Sequence, residues 1–375
     1  MRIAIEAQRI FRPHKHGMDF VALEIIRELQ KIDRDNEYYI IVSPDTDRCL
    51  QESKNFHIIE LKYPTYPLWE QIALPRTIKG LKPDLLHCTS NTAPLYCDVP
   101  LVLTLHDIIY LEKRQSFNKS LYQEMGWYYR RFIVPRILPK CKKIITVSNF
   151  EKDRIAKSMH LPDDRLVAVY NGYNTHFCVQ PKDWQTIDKY IEHTPYLFFL
   201  GNTDPKKNTN RVLRAYDIYL KHSTQKLPML IADLDETYID SILKRENLQS
   251  IKPNLRFPGY VSNNDLAALY SAAFAFLYPS IRESFGIPML EAMACGTPLI
   301  AGNTSAMPEI AGEGAILVDP FSERSIAEKI LQLESDEQLY KAQVAYGLER
   351  VKLFSWQRSA KTLLKIYEEV SGNNK

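Results

Sequence analysis

The strongest constraint in this sequence is a short apolar run, rich in β-branched and aromatic residues, that recurs along the chain between segments of helix length. The runs in the first half are IAIEA, YYIIVS, HIIEL, DLLHCTS, LVLTLHD, KIITVS and LVAVYNG. Those in the second half are YLFFLG, PMLIAD, LRFPGY, AFAFLYPS, PLIAGN and AILVDP. Because the runs lack polar alternation, they predict strands covered on both faces, as in parallel sheets built from right-handed βαβ units.

The pattern restarts near Tyr196, after a poorly patterned stretch from Tyr173 to Pro195 that we interpret as a linker. We therefore predict an α/β fold of two doubly wound, Rossmann-like domains that face each other across a cleft. The predicted domains are residues 1–177 and 190–355, followed by a closing amphipathic helix in 356–375. Ligands bind such sheets at the carboxyl ends of strands, so strand-end residues are the candidates for a site.

Composition narrows the class of protein. The chain has 375 residues, and 48 Lys and Arg against 45 Asp and Glu give a net charge of +3, too small an excess to predict a nucleic-acid binder. The six cysteines lack C-x-x-C pairing, so metal and redox motifs are not expected. The first residues enter a strand pattern without a signal region, and no apolar run is long enough to span a bilayer. These features predict a cytoplasmic protein.

The segment SIRESFGIPMLEAMACGTPLI, residues 280–300, holds two carboxylates in mostly apolar surroundings. Pro288 predicts the first turn of a short helix, which Gly296 ends. Glu283 then lies in the loop before this helix, and Glu291 lies about one turn inside it.

The start of this helix is a candidate anion site. The backbone amides of Phe285, Gly286 and Ile287 are predicted to point at the end of the preceding strand, where free amides favour phosphate. Glu291 could accept two hydrogen bonds from a vicinal diol such as a ribose, and Glu283 could reach hydroxyls beyond the phosphates. Two solvated surface acids are the alternative interpretation.

The stretch RESFGIPMLEAMACGTPLIAGNTSAMPEIAG resembles the donor-site segment of the retaining glycosyltransferases of family 4, which have the GT-B fold. Those enzymes carry two glutamates at this spacing, and Ser284 stands where they usually have glycine. The resemblance extends over nearly the whole chain, through LHD, VSNF, YNGY, FLGNTDPKKN and PGYVSNNDLAALYSAAFAFLYPS. It implies that Glu283 contacts donor-sugar hydroxyls, that Glu291 holds the nucleotide ribose, and that the closing helix packs back on the N-terminal domain.

The resemblance also gives roles to residues that are inconspicuous alone. Lys207, in GNTDPKKN, is expected to stabilise the diphosphate leaving group. Asn202 is a candidate donor-binding residue at a position where many relatives have arginine, which leaves the diphosphate more dependent on Lys207. His106, at the end of LVLTLHD, is expected to approach the donor sugar, with Asp107 orienting it. A solvated lysine and a structural histidine are the simpler interpretations without the resemblance.

Gly17 and Tyr260 complete the predicted donor-binding set. Gly17 precedes the first long helix, where the family often has a longer glycine-containing loop near the donor phosphates and the acceptor. Tyr260 lies in the family-like segment PGYVSNNDL. The preceding His14, Lys15 and His16 are predicted to form an exposed loop, with contact to an anionic acceptor as the alternative.

No metal or cofactor is expected. Asp233 and Asp235 form a D-x-D pattern, and carboxylates suit Mg²⁺ or Mn²⁺. The pattern arises readily by chance and binds metal in glycosyltransferases of a different fold, so we assign no metal site to it.

The segment SLYQEMGWYYRRFIVPRILPKCKK mixes aromatic and basic residues. We predict a helix with Trp127, Phe132 and Ile133 in the core and a solvated basic face. Weak peripheral contact with anionic lipid headgroups is the alternative, and it would suit a lipid-linked acceptor.

The sequence therefore predicts a retaining glycosyltransferase that moves a hexosyl group from a sugar nucleotide to a hydroxyl of a glycan or lipid-linked glycan. Overall similarity favours mannose, from GDP-mannose. A sugar-nucleotide 2-epimerase of similar architecture and a non-catalytic sugar-nucleotide sensor remain as alternatives. A dinucleotide-dependent dehydrogenase is disfavoured because no G-x-G-x-x-G follows the first strand.

Overall fold

The computed structural model describes residues 1–111, 121–192 and 195–372 of the chain. The chain divides into two compact units. The first unit comprises Met1–Gly172 together with Ser355–Lys375, and the second comprises Tyr173–Phe354. The residues that the sequence indicates as a linker therefore belong to the second unit.

The first unit contains a seven-stranded sheet in the order β3-β2-β1-β4-β5-β6-β7. Its strands are β1 (Arg2–Glu6), β2 (Glu37–Val42), β3 (Phe56–Glu60), β4 (Leu85–Cys88), β5 (Leu101–Thr104), β6 (Lys143–Thr146) and β7 (Leu166–Ala168). Its first five helices are α1 (Gly17–Ile32), α2 (Tyr66–Leu68), α3 (Leu74–Leu81), α4 (Leu121–Ile137) and α5 (Asn149–Met159). A π-helical stretch, Trp69–Ala73, joins α2 to α3.

The second unit contains a six-stranded sheet in the order β10-β9-β8-β11-β12-β13. Its strands are β8 (Leu197–Leu200), β9 (Met229–Ala232), β10 (Leu255–Gly259), β11 (Ala275–Tyr278), β12 (Leu299–Gly302) and β13 (Ala315–Val318). Its helices are α6 (Trp184–Ile187), α7 (Thr209–His222), α8 (Glu236–Glu246), α9 (Asn263–Ala272), α10 (Ile287–Ala294), α11 (Met307–Ala311), α12 (Glu323–Ser335) and α13 (Glu337–Val351). The last helix, α14 (Trp356–Ser371), belongs to the first unit.

The two parallel sheets confirm the predicted fold class. Each apolar run contains one strand, and the neighbouring strands of both sheets pair in parallel. The runs are apolar throughout because helices cover both faces of the sheet. In β1, for example, Ile3 and Ile5 pack with residues of α1 and α14, whereas Ala4 faces a second cluster that contains Trp69 and Val134.

The helix α14 completes the core of the first unit. It packs against α1, and its Leu363 and Tyr367 are buried beside the strands of the first sheet. The Tyr367 hydroxyl lies 2.7 Å from Nδ1 of His87 in β4. A Cβ on Gly172 would lie 2.2 Å from the backbone nitrogen of Trp356, so only glycine fits where the two segments meet.

The order of the strands reverses once in each sheet, between β1 and β4 in the first and between β8 and β11 in the second. Loops leaving the carboxyl ends of two such strands run in opposite directions and open a crevice. In doubly wound sheets this crevice is where ligands bind.

Candidate functional site

Two of the predicted site residues flank the strand-order reversal of the second sheet. Lys207 follows β8 and Glu283 follows β11, and these strands are hydrogen-bonded neighbours. The sheet topology therefore brings together two residues that are far apart in the sequence, at the crevice where a ligand is expected.

Lys207 is held by the residue that follows it. It ends a 3₁₀ turn, Pro205–Lys207, and Asn208 then adopts a left-handed conformation with φ of 66°. Asparagine tolerates this conformation better than most residues. The buried Nδ2 of Asn208 donates to the carbonyls of Pro279, at 3.0 Å, and of Pro320, at 2.6 Å. The turn that carries Lys207 is thus fastened to the loop after β11.

Lys207 and Glu283 form an ion pair, with Nζ 2.8 Å from Oε1 and with side chains only 19% and 12% exposed. The Lys207 ammonium also donates to the Tyr278 hydroxyl at 3.0 Å. Burial alone would raise the pKa of Glu283, but the charges of Lys207 and Lys206 outweigh burial and leave this pKa below its ordinary value. The Glu283 carboxylate is therefore charged and can accept hydrogen bonds.

The backbone around Glu283 is fixed by its neighbours. Its amide donates to Oγ of Ser305 at 2.9 Å, and its carbonyl accepts from the amide of Ala306 at 3.3 Å. The amide of Ile281 donates to the carbonyl of Lys206 at 2.7 Å and ties the two loops together. The carboxylate thus projects from a backbone that is bonded on both sides.

The helix α10 begins directly after this loop, as predicted, with Pro288 in its first turn. Gly286 precedes it with φ of 95°, and a Cβ there would lie 2.8 Å from Cε of Met289, so glycine is required. Among the residues that the structure describes, the amides of Gly286 and Ile287 donate to no protein acceptor. They can therefore bind an anion. The buried ring of Phe285 packs edge-to-face on Phe354 and is not a ligand-binding group; a role for its backbone stays a prediction.

Glu291 lies in the middle of α10 and has the opposite electrostatic character to Glu283. Burial raises its pKa to about 8, and the nearby Tyr270 hydroxyl acts against this shift. Glu291 is therefore protonated at neutral pH. It must lose this proton before its carboxylate can accept two hydrogen bonds from a diol.

Asn202 and Tyr260 lie at the carboxyl ends of β8 and β10. Oδ1 of Asn202 accepts the amide of Asp204 at 2.9 Å, so this exposed side chain shapes the loop that leads to Lys207. Tyr260 is 78% exposed and lines an open groove of about 580 Å³ together with Phe257. Both residues stay predictions as donor-binding groups.

Asp233 and Asp235 line the same groove and have backbone roles there. Asp235 caps α8 by accepting the amide of Thr237 at 2.9 Å. Asp233 adopts φ of 61°, a conformation that short polar residues tolerate. Within the described ranges, no group of three or more His, Cys, Asp or Glu side chains is placed to hold a metal ion.

His106 lies in the first unit, two residues after the end of β5, and is 6% exposed. Its Nε2 lies 2.9 Å from the carbonyl of Thr89, and its amide donates to Oδ1 of Asn91 at 2.6 Å. Burial lowers the pKa of the ring, while the bond to Thr89 and the charge of Asp107 oppose this shift. Thr89, rather than Asp107, holds the ring: the Asp107 carboxylate forms a local turn by accepting the amide of Ile109 at 3.0 Å.

Gly17 is the first residue of α1, and no atom lies within 4 Å of the position that a Cβ would occupy. A ligand could therefore approach its backbone closely. The loop before it corrects one prediction, because Lys15 is not exposed. Its ammonium forms an ion pair with Asp47 and donates to the carbonyl of Arg12 at 2.9 Å. The two histidines that flank Lys15 are exposed, as predicted.

The helix α4 corrects a second prediction. Trp127 and Ile133 pack towards the core, but Phe132 is 51% exposed. Met125 and Tyr128 are also exposed, by 68% and 61%, and helical spacing places them on the same face as Phe132. Adjacent helical positions differ by about 100° in direction, so Phe132 and Ile133 face differently. None of the described helices has the length and hydrophobicity that crossing a bilayer requires.

Sequence reasoning did not identify Glu6 and Glu70 of the first unit, both of which are 0% exposed. Glu6 ends β1, and Glu70 lies in the π-helical stretch, a conformation often found at functional sites. Glu70 accepts hydrogen bonds from the hydroxyls of Tyr66, Thr92 and Tyr129. The sequence signal that could have identified Glu6 is that it is the single acid in the apolar run IAIEA, because a strand covered on both faces buries its side chains.

Two family models match the chain. The model described as "Glycosyltransferase Family 4" matches residues 16–177, and the model described as "Glycosyl transferases group 1" matches residues 186–350. The first match includes Gly17 and His106, and the second includes Lys207, Glu283 and Glu291. All five residues thus lie within the regions that the family models match.

Curated relatives carry the name mannosyltransferase. O-antigen chain mannosyltransferase B of Escherichia coli is 30% identical over 234 residues, which are 62% of this chain and 61% of that protein. O-antigen chain mannosyltransferase RfbU of Salmonella typhimurium is 29% identical over 282 residues, which are 75% of this chain and 73% of the relative. The chain thus matches just under two thirds of the length of the first relative.

Solved structures match over nearly the full chain. A sucrose-phosphate synthase from Thermosynechococcus elongatus aligns with a TM-score of 0.75 and 19% identity, covering 100% of both chains. Anabaena HepE in complex with UDP-glucose aligns with a TM-score of 0.74 and 15% identity, covering 98% of this chain and 100% of the other. At these identities the likeness shows the fold, which is GT-B. Family models, relatives and fold agree, and the chain belongs to the family 4 glycosyltransferases.

Proposed function

We propose that this glycosyltransferase moves a hexosyl group from a sugar nucleotide to a hydroxyl of a glycan or lipid-linked glycan, with retention at the anomeric carbon. The observation that carries the proposal is the buried ion pair of Lys207 and Glu283 beside the first turn of α10. It places a cation, a charged carboxylate and free backbone amides where a doubly wound sheet binds ligands. A sugar diphosphate needs this combination of anion-binding and hydroxyl-binding groups.

The leaving diphosphate gains negative charge as the glycosidic bond breaks. Lys207 supplies a positive charge to it, and the amides of Gly286 and Ile287 supply hydrogen-bond donors. Such groups act more strongly in a buried site than in water. The transition state resembles an oxocarbenium ion, as in glycoside hydrolysis. The departing phosphate helps to deprotonate the acceptor hydroxyl, so the proposal requires no protein nucleophile.

Glu283 and Glu291 bind different hydroxyl groups of the donor. Glu283 accepts hydrogen bonds from hydroxyls of the donor sugar, which its lowered pKa supports. Glu291 accepts from the ribose hydroxyls once it has lost its proton. His106 contacts the donor sugar as a neutral imidazole, which its lowered pKa supports. We assign no metal ion to the reaction.

Mannose from GDP-mannose is the proposed donor group. Support comes from the two O-antigen mannosyltransferases that resemble this chain at 29% and 30% identity. The Anabaena protein, whose structure contains UDP-glucose, makes that nucleotide the competing donor. The acceptor proposed from these relatives is a growing polysaccharide.

Thermal unfolding with GDP, UDP, GDP-mannose and UDP-glucose, each with and without Mg²⁺, tests the donor site. A ligand at a hundred times its dissociation constant stabilises the folded protein by about 2.7 kcal/mol. We expect a shift with GDP and GDP-mannose that does not need Mg²⁺ and that Lys207→Met removes. Lys221→Met is the control, because Lys221 is a surface residue of α7 paired with Asp217. A wild-type protein that no nucleotide stabilises would overturn the proposal.

The two alternative functions give different products. A sugar-nucleotide 2-epimerase converts the donor without an acceptor into a second sugar nucleotide, whereas a transferase in the same mixture releases only free sugar and nucleotide. A sensor does neither. Chromatography of GDP-mannose after incubation, with and without a mannose-containing oligosaccharide, separates the three outcomes, and we expect a longer oligosaccharide only when both substrates are present.

We also propose that α4 contacts the membrane surface, which would suit a lipid-linked acceptor. Its exposed face presents Met125, Tyr128 and Phe132, and the guanidinium of Arg136 lies 3.9 Å from the Phe132 ring centroid. Helices with apolar and basic residues of this kind bind anionic interfaces. Phe132→Ser should weaken sedimentation with phosphatidylglycerol vesicles, whereas Tyr346→Ser, at an exposed aromatic of α13, should not. Equal sedimentation of both variants and wild type would reject this contact.

A further inference from the structure

The strand-order reversal of the first sheet holds a buried carboxylate that the proposed function does not use. Glu6 is the last residue of β1, and Thr89 directly follows β4, the strand paired with β1. Glu6 is 0% exposed. The two residues therefore meet at the place in this unit where the topology opens a crevice.

Glu6 holds Thr89 through two hydrogen bonds, one to its backbone amide and one to its side-chain hydroxyl. Oε2 of Glu6 accepts the Thr89 amide at 3.1 Å, and the Glu6 carbonyl accepts the Thr89 hydroxyl at 2.8 Å. The other carboxylate oxygen, Oε1, accepts the amide of Gln8 at 3.0 Å. The carboxylate thus bridges the loops after β1 and β4, and charge-assisted bonds of this type are stronger than neutral ones.

Thr89 passes this constraint to His106. The Thr89 carbonyl lies 2.9 Å from Nε2 of His106 and can only accept, so Nε2 carries a proton. In the neutral ring Nδ1 then keeps its lone pair. The backbone of His106 is fixed independently, because its amide donates to Asn91, whose own amide donates to the carbonyl of Thr104 at 3.1 Å.

We propose that Glu6 is a positioning residue for His106, acting through the backbone of Thr89 to fix the tautomer and direction of the imidazole. The N–H of Thr89 donates to Glu6, and the carbonyl of the same residue, one peptide further along the chain, accepts from His106. Removal of the carboxylate therefore releases one side of the residue whose carbonyl orients the ring. The catalytic consequence rests on the role of His106 in the proposed function. The structural coupling between Glu6 and His106 does not.

Glu6 is shielded from water and lies near few ionisable groups. Burial raises its pKa to about 7; the amide of Gln8 opposes this shift, the charge of Glu70 adds to it, and the charge of Arg9 opposes it. The ionisable groups around Glu6 come from the loop after β1, from α2, from the π-helical stretch and from β4: Arg9, Tyr66, Glu70 and Cys88.

The state of Glu6 therefore changes near neutral pH. Below about pH 7 it gains a proton, becomes a weaker acceptor for the Thr89 amide, and releases the constraint on His106. His106 faces Asp107, Asp19 and His87, and its own pKa is lowered, so its protonation comes at lower pH. We expect kcat to fall on the acid side near pH 7 in wild type, and this acid limb to be absent in Glu6→Gln.

The decisive measurement is the ¹⁵N–¹H spectrum of the imidazole groups in histidine-labelled protein, with the His106 signals assigned by their loss in His106→Ala. Wild type should show Nε2 protonated and Nδ1 bare at pH about 8, where Glu6 is ionised. Glu6→Gln should move these signals towards a mixture of tautomers. Glu70→Gln is the matched control, because Glu70 is equally buried but its bonds end on side chains, and it should leave the His106 signals in place.

Kinetics supply the second readout. Glu6→Gln should lower kcat about tenfold or more with little change in the KM for the donor, because misdirecting a catalytic group acts on the reacting complex. In a His106→Ala background the same substitution should have almost no further effect. An additive double-mutant cycle, or unchanged His106 signals in Glu6→Gln, would overturn the proposal.

Thr89→Val keeps the test valid if Glu6→Gln fails to fold. It has nearly the same shape, removes the hydroxyl bond to the Glu6 carbonyl and leaves the peptide in place. It should move the His106 signals in the same direction by a smaller amount, and unchanged signals would count against the coupling. If His106→Ala itself keeps full activity, the role of His106 in catalysis fails while the spectra still decide whether Glu6 positions the ring.

Discussion

The two sheets share the order of their first six strands, to which the first sheet adds β7, and yet their electrostatics differ where the strand order reverses. In the second unit Lys207 pairs with Glu283, and the pKa of the carboxylate is lowered. In the first unit Glu6 forms no ion pair with any residue of the described segments, and burial raises its pKa to about 7. His106 beside it has a lowered pKa and stays neutral.

This difference shows that the topology provides a crevice but does not decide its chemistry. In the proposed function, one lysine in the loop after β8 makes the second crevice suitable for a diphosphate. In the first crevice, backbone amides bind the Glu6 carboxylate, and this arrangement suits the orientation of the uncharged His106 imidazole. Function therefore depends on the loops that follow the strands rather than on the sheet itself, as is general for widely used folds.

The largest effect that would sharpen the comparison is expected from Lys207. Lys207→Met should lower kcat by about 100- to 1,000-fold, since it removes the charge that stabilises the leaving group. Lys207→Arg should retain part of the activity, because it keeps the charge in a different shape. Steady-state kinetics with the preferred donor would measure both, with Lys221→Met as the control. A Lys207→Met enzyme with wild-type kcat would remove the functional basis of the comparison.

A smaller effect is expected from Glu291 and depends on pH. Its pKa of about 8 means that a nucleotide whose ribose bonds to the carboxylate must displace a proton. Affinity should therefore rise with pH and level off above about 8, by up to about tenfold per unit below that value. Calorimetric titration of GDP at several pH values would show this dependence. In Glu291→Gln the pH dependence of affinity that is due to the Glu291 carboxyl should disappear. Identical pH profiles for wild type and Glu291→Gln would refute the assignment of Glu291 as the ribose-binding carboxylate.

The stability of the two crevices should respond to pH with opposite sign. The folded pKa of Glu6 lies above its unfolded value of 4.5, so its contribution to the free energy of unfolding falls as pH rises from 4.5 to about 7. The change is on the order of 3 kcal/mol. The folded pKa of Glu283 is lowered, so its contribution is lost as pH falls through that lowered pKa. Thermal midpoints of Glu6→Gln and Glu283→Gln, each subtracted from wild type across pH, should slope in opposite directions; parallel slopes would contradict the contrast.

The smallest effect is expected from metal removal. If Lys207 and the α10 amides neutralise the diphosphate, EDTA should leave the transfer rate unchanged, and so should Asp233→Asn and Asp235→Asn. Asparagine suits both the left-handed position and the helix cap, which keeps the fold intact. Rates in EDTA, Mg²⁺ and Mn²⁺ provide the measurement. A rate that depends on metal and that Asp233→Asn abolishes would show that a cation shares the role of Lys207.

Much of the fold follows from the sequence because its signals are local. Each buried parallel strand corresponds to an apolar run in the sequence. Pro288 and Gly296 predict the two ends of α10 to within a residue or two. The ion pair of Lys207 and Glu283 does not follow from local pattern, because it depends on the pairing of β8 with β11. The resemblance to the family implies a role for Lys207 and a role for Glu283, but it does not indicate that the two form an ion pair.

The errors share a physical cause. The aromatic character of Phe132 predicts a core position, but the orientation of α4 on the sheet decides which face of the helix is buried. The polar sequence around Lys15 predicts an exposed loop, but Lys15 forms an ion pair with Asp47 of another loop and is partly buried. Glu6 escaped notice because its value as a site depends on Thr89 and His106, which reach it from other strands.

The return of α14 to the first unit has a consequence for how the protein forms during synthesis. The first sheet is translated early, but its core includes Leu363 and Tyr367 of α14. Until α14 has been made, His87 lacks its hydrogen-bond partner, the hydroxyl of Tyr367. The second unit is one continuous stretch, so all of its strands have left the ribosome before α14 appears. The half of the protein that is made first is therefore the half that is finished last, and a chain that stalls near residue 354 would expose the apolar surface that α14 covers.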